Sequence, residues 1–274
     1  MKCLIIAAGQ GTRLRSVAPS KPLALVRGTP LIEHIVRMAR AGGASEFVVA
    51  TGYEAGPLEA FLAELAIRLG CPIAPVRNPN WERPNGHSVL AAAERLEHPP
   101  QKRAPVLRNE DAEHKGLEQK RVSGIADSAP EDAFVLLMSD HLFDPEILAA
   151  LIRARRPDAA LTLAVDRNIT NPDIDLDDAT KVASDAAGRI VRIGKTVEPY
   201  DAIDTGIFIA TQALPLAIAE SIQAGGAGSL SEGVQRLADQ QRAYVSEVAG
   251  RWWLDVDDEP AHARAEASLP EFGI

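Results

Sequence analysis

Apolar positions along the first part of the chain fall in short blocks whose period alternates between strand and helix. Lys2 to Ala7 is a mostly apolar run that suits a buried parallel strand. Leu31, Ile32, Ile35, Val36, Met38 and Ala39 then recur at helical spacing until Gly42-Gly43 stops them. A second strand is predicted over 47–50. Leu58, Phe61, Leu62, Leu65 and Leu69 mark an amphipathic helix ending at Gly70, and a short third strand covers 72–76. Strand, helix, strand, helix, strand predicts right-handed crossovers and an α/β fold, its sheet covered on both faces.

The pattern continues less regularly. A polar loop over 77–88 runs into an Ala-rich helix at 89–96. Residues 98–131 are rich in charge and proline and have almost no apolar periodicity, which predicts a flexible insertion. A central strand follows at 134–138, a helix at 145–154 and a strand at 160–165. Strands are predicted around Val182, over 190–193 and over 203–209, then helices at 212–223 and 231–240. A strand at 243–248 leads to Trp253-Leu254-Asp255-Val256-Asp257, and a helix at 258–267 closes the pattern. The expected organisation is one domain over 1–274, with a nucleotide-binding half (1–145) and a more mixed acceptor-binding half (146–274) on the same sheet.

Composition narrows the classes. A chain of 274 residues with 46% hydrophobic and 24% charged residues is an ordinary globular protein with ample core. Its net charge of −9 argues against a nucleic-acid surface. No apolar run reaches the ~18 residues of a membrane span. The two cysteines, Cys3 and Cys71, lie beside apolar runs and are expected to be buried reduced thiols. A cytoplasmic, membrane-free protein is the expectation, and nothing in the sequence opposes a homodimer.

The chemistry starts where the first strand breaks into Gly9-Gln10-Gly11, which gives a backbone that an anion can approach closely. Leu14 and Ala50-Thr51-Gly52 do not match a dinucleotide site, and no Gly-Lys-Ser/Thr P-loop is present. Arg13 and Lys21 can instead reach the β- and γ-phosphate oxygens of a nucleotide triphosphate. Asp140 ends a buried strand, and Asp257 closes another apolar stretch. Two carboxylates drawn from distant strands repel unless a cation separates them, so the pair is read as a Mg²⁺ site, with Asp255 behind it. Asn85, Gly86 and Ser88 offer groups for a base edge, or a helix N-cap. Lys181 and Lys195 flank turns. Asp204-Thr205-Gly206 interrupts a strand with a polar triplet that suits a hydroxyl-rich acceptor. Ser231-Glu232 either begins a helix or faces that acceptor.

Ala7-Ala8-Gly9-x-Gly11-Thr12-Arg13-Leu14 followed by Lys21-Pro22-Leu23 resembles the signature of the sugar-phosphate nucleotidyltransferases. Asn85-Gly86-x-Ser88, Met138-Ser139-Asp140-His141, Ala179-Thr180-Lys181, Ile193-Gly194-Lys195, Asp204-Thr205-Gly206, Leu230-Ser231-Glu232 and Trp253-Leu254-Asp255-Val256-Asp257 follow the order seen in CTP:inositol-1-phosphate cytidylyltransferases. The resemblance implies a Rossmann-like, mostly parallel mixed sheet of the GT-A-like nucleotidyltransferase type. It also implies a Mg²⁺-dependent reaction of CTP with inositol 1-phosphate, giving CDP-inositol and pyrophosphate. Ala7, Ala8, Gly9, Gly11, Thr12, Arg13 and Lys21 would then hold the triphosphate, Asn85, Gly86 and Ser88 the cytosine, and Asp140 and Asp257 the magnesium. Lys195 and Lys181 would bind the acceptor phosphate, and Asp204, Thr205, Gly206 and Glu232 would face its hydroxyls. The family is often fused to a membrane-embedded synthase, and the stand-alone form is expected here. The rival expectations are another acceptor (phosphocholine, a phosphonate or a hexose 1-phosphate) and a non-catalytic nucleotide-binding regulator.

Overall fold

The computed structural model describes residues 1–97 and 133–273, so the insertion predicted over 98–131 lies outside the described residues. In chain order the elements are β1 (Lys2–Ala7), β2 (Leu25–Val26), β3 (Thr29–Pro30), α1 (Leu31–Ala41), β4 (Glu46–Thr51), α2 (Ala55–Leu69), β5 (Ile73–Arg77) and α3 (Gly86–Leu96). Then follow β6 (Phe134–Met138), β7 (His141–Phe143), α4 (Pro145–Arg153), β8 (Leu161–Asp166), β9 (Lys181–Ser184), β10 (Ile190–Gly194) and β11 (Ala202–Ala210). The last are α5 (Ala213–Gln223), α6 (Leu230–Asp239), β12 (Ala243–Glu247), β13 (Trp253–Asp255) and α7 (Glu259–Ser268).

The main sheet runs β10-β9-β11-β6-β1-β4-β5, with β8 beside β11 and β12 beside β8. Its N-terminal half is parallel: β1 pairs with β4 and β6, and β4 with β5. The C-terminal half is mixed, because β11 runs antiparallel to β6, β8 and β9. β1 shows why both faces are covered. Cys3, Ile5 and Ala7 point into a core shared with α1, α2 and α4, while Leu4 and Ile6 point into a second core with α3, α5 and α6. Both cysteines are buried and free, and burial pushes the Cys3 thiol up, as the apolar runs around them predict.

Two features depart from the sequence pattern, and both lie at the C-terminal edge of the sheet. The polar triplet Asp204-Thr205-Gly206 is an irregularity in β11, where the register against β8 shifts between Asp204 and Phe208. Gly206 has φ +73°, and an added Cβ would lie 2.7 Å from the His141 ring, so only glycine fits. The second feature is a small ribbon outside the main sheet, in which β13 pairs antiparallel with β7 and Asp255 lies opposite His141. A strand of three residues such as β7 is too short to show periodicity, and the sequence pattern misses it.

Candidate active site

The glycine turn positions its cations by packing. Gly11 is left-handed (φ +59°), and a Cβ there would meet the Cβ of Lys21 at 2.5 Å. That absent methyl lets Lys21 lie against the turn, with the side chain only 8% exposed. Its ammonium lies 2.6 Å from Asp140 Oδ2 and also pairs with Asp257 Oδ1. Arg13, half exposed on the single helical turn that follows Gly11, pairs with Asp257 Oδ2 and, at 2.6 Å, with Asp178. Ala7 and Ala8 are buried, Thr12 is exposed, and a Cβ on Gly9 would meet nothing within 4 Å. The turn is therefore open where an anion could approach.

Lys21 sits at the expected metal pair. Its ammonium lies between Asp140 and Asp257 and pairs with both carboxylates. The atoms that converge for a metal belong to Asp140, His141 and Asp255, which all lie within 4.8 Å of one another. Asp255, expected behind the metal, is brought beside Asp140 and His141 by the β7–β13 ribbon. His141 Nδ1 contacts Asp140 Oδ1 at 2.7 Å and lies 3.8 Å from Asp255 Oδ1. Its ring stacks on Trp253, which donates from Nε1 to buried Asp166 at 2.9 Å.

Two cations, the Lys21 ammonium and the His141 imidazole, already balance the carboxylates of this group. Burial opposes the ionisation of Asp140, but the Lys21 ammonium and then His141 outweigh it and hold the carboxyl well below the usual range. Burial likewise opposes charge on His141, but Asp255 and Asp140 outweigh it and lift the imidazole to about 9. Burial pushes Asp255 up, and its Oδ1 is buried with no hydrogen-bond partner. An orphaned carboxylate oxygen beside another carboxylate fits a hard divalent cation with oxygen ligands.

A cavity of about 300 Å³ opens over this group. Arg13, Asn85, Asp140, Lys195, Asp204, Gly206 and Asp257 all contribute to its wall, so residues distant in sequence do meet there. Burial is the main cause that raises the carboxyl of Asp204, to about 6.

Other predicted residues are placed elsewhere. Ser88 is buried and accepts from Asn78 Nδ2 at 3.1 Å, so its hydroxyl is used within the fold. Gly86 is a packing position, since a Cβ would lie 2.3 Å from the Gly228 carbonyl. Asn85 lines the cavity, but its Oδ1 accepts from Leu230 N–H at 2.9 Å and ties α3 to α6. Thr205 is fully buried and donates to the Ala164 carbonyl. Lys181 donates to the Lys195 carbonyl at 3.0 Å and does not line the cavity. Glu232 departs most clearly from an acceptor contact. It completes the capping box of α6, accepting from the N–H groups of Ala227, Gly228 and Ser229. Its spacing after Ser229 was the signal for that role. The sequence pattern did not single out Asp178 or Arg264, which also line the cavity. Each is an ordinary charged residue until the fold brings it there.

Comparison with known proteins agrees with this picture. The chain is 33% identical over 258 residues to a protein of Rubrobacter xylanophilus called bifunctional IPC transferase and DIPP synthase, covering 92% of this chain and 48% of that protein. A protein of the same name from Archaeoglobus fulgidus is 28% identical over 274 residues, covering 100% of this chain and 45% of that protein. The chain thus spans about half the length of these curated relatives. The fold is shared with the inositol-1-phosphate CTP transferase from T. maritima, with a TM-score of 0.73 at 21% identity and 98% of each chain covered. It is also shared with a UDP-glucose pyrophosphorylase bound to UDP-glucose, with a TM-score of 0.68 at 16% identity, covering 98% of this chain and 97% of that one. No described helix is long and apolar enough to cross a membrane. The model of the MobA-like NTP transferase domain matches residues 3–174, and the chain belongs to that family.

Proposed function

We propose that this chain transfers a cytidylyl group from CTP to inositol 1-phosphate, giving CDP-inositol and pyrophosphate. The observation that carries the reading is the convergence of Arg13, the Asp140–His141–Asp255 group, and Lys195 with Asp204 around one cavity, with Lys21 paired to Asp140 behind its wall. The named relatives and the T. maritima fold neighbour support the choice of nucleotide and acceptor. A choline acceptor would call for an aromatic cage, yet among the described lining residues only Trp253 carries a large aromatic ring, and it packs on His141.

An oxygen of the acceptor phosphate bonds to the α-phosphorus, and the bond from that phosphorus to the bridging oxygen breaks. Pyrophosphate leaves with the electron pair. The acceptor phosphate is already anionic, so no general base is needed. Arg13 and Lys21 hold the donor phosphates, and Lys21 is kept in place by Asp140, Asp257 and the missing methyl of Gly11. Lys195 holds the acceptor phosphate and Asp204 accepts from its hydroxyls. Asp140 and Asp255 would hold Mg²⁺, with His141 positioning Asp140, and the ion would supply charge stabilisation as negative charge grows on the leaving group. Positioning and electrostatics supply the rate.

Pyrophosphate release from CTP and Mg²⁺, measured across inositol 1-phosphate, glucose 1-phosphate, phosphocholine and a phosphonate, tests the proposal. Release with inositol 1-phosphate far above the others is expected. Equal release with glucose 1-phosphate would remove the polyol assignment. CTP binding without release from any acceptor would turn the reading to a regulator.

A further inference from the structure

Arg13 and Lys195, the cations assigned to opposite substrates, share one counter-ion. Asp178 belongs to the segment between β8 and β9, which contributes several residues to the cavity wall. Its Oδ2 lies 2.6 Å from Arg13, and its Oδ1 pairs with the Lys195 ammonium. First Lys195 and then Arg13 hold this carboxyl below its usual range, against the opposing effect of burial. Both oxygens are committed, and they span two cations drawn from elements far apart in sequence.

A carboxylate bridging two cations in this way occupies the positions that phosphate oxygens would take. We infer that Asp178 is a displaceable internal anion whose release from one cation eases its release from the other, so that donor and acceptor binding are positively coupled. The inference rests on the proposed assignment of Arg13 to the donor and Lys195 to the acceptor. While both cations hold Asp178, an incoming phosphate must compete with it. When donor phosphates take Arg13, Asp178 keeps only the exposed Lys195, and the acceptor phosphate displaces it more readily. By reciprocity the acceptor must tighten the donor by the same factor. Arg13 and Lys195 are 50% and 59% exposed, so each pair is weak and the coupling is modest, about two- to fivefold.

Calorimetric titration tests this with inositol 1-phosphate and a CTP analogue that carries a methylene bridge between the α- and β-phosphorus, which blocks transfer. In the wild-type protein each ligand should tighten the other about two- to fivefold. In Asp178→Asn each ligand alone should bind more tightly by a similar factor, and the mutual effect should vanish. Asp178→Glu should keep the coupling. A residue needed only for folding would weaken binding when changed. Unchanged or weaker binding in Asp178→Asn, with coupling retained, overturns the inference while leaving the proposed function standing. Failure of the wild-type protein to bind either ligand overturns both.

Discussion

The two sides of the cavity hold their charges differently. On the parallel side Lys21 is buried, and its position is set by the turn at Gly11 and by two carboxylates. On the antiparallel side Lys195 is exposed and paired with Asp178 from the segment between β8 and β9. A charge fixed in a water-poor frame interacts strongly and needs no reorganisation, whereas an exposed pair is screened and exchangeable. The parallel side is thus built as a rigid electrostatic mould, and the other side as an exchangeable charged surface.

Loss of the mould is expected to have the largest effect. Asp140→Ala and Lys21→Ala should each lower the rate of pyrophosphate release by at least ~10²-fold, in line with removal of one preorganised charge. Near-normal turnover in Asp140→Ala with Mg²⁺ present would end the metal assignment. Gly11→Ala comes next. It forces a left-handed alanine, costing roughly 1–2 kcal/mol, and drives a methyl into Lys21, so denaturant unfolding should show lower stability and kcat should fall with it. Unchanged kcat would show that the close approach of Gly11 to Lys21 does not matter.

On the exchangeable side the effects should be smaller and specific to the acceptor. Lys195→Ala should raise the KM for inositol 1-phosphate about tenfold, the loss of ~1.4 kcal/mol of binding, and leave the KM for CTP within about twofold. A matching rise in both KM values would erase the distinction between the two sides. The smallest effect concerns the frame beneath the parallel side. Glu33 of α1 is buried and pairs with Arg37 and with Arg68 of α2, and the hydrogen bond from Arg68 is the leading cause that lowers its carboxyl pKa, against the opposing effect of burial. A lowered carboxyl contributes stability above its unfolded pKa and loses it as pH falls through the folded value. Glu33→Gln should therefore cost about 1 kcal/mol in urea unfolding at pH 7, because both guanidinium groups reach water. The difference from wild type should close under acid conditions; a constant gap would point to packing.

The parallel half was legible because its strands are continuous apolar runs and its helices carry clear 3.6-residue periodicity. The glycine turn was legible for a related reason, since Gly9, Gly11, Arg13 and Lys21 are close in sequence. The pairing of β13 with β7 was not, because a three-residue strand such as β7 carries no period. That is why Asp255 was expected behind the metal rather than beside it, and why His141 was not expected there. Glu232 and Thr205 were read toward the acceptor, yet their polar groups meet backbone partners inside the fold, a choice that local sequence leaves open.

Local chemistry thus determined the elements, the anion-accepting turn and the inventory of charged groups, because strand and helix periods and glycine geometry act over a few residues. The tertiary structure decided which charges face one another. It placed the Lys21 ammonium between Asp140 and Asp257, set Asp255 opposite His141, and bridged Arg13 to Lys195 through Asp178. Those pairings depend on sheet order and strand register across most of the chain, and electrostatic interaction depends on distance in space rather than separation in sequence.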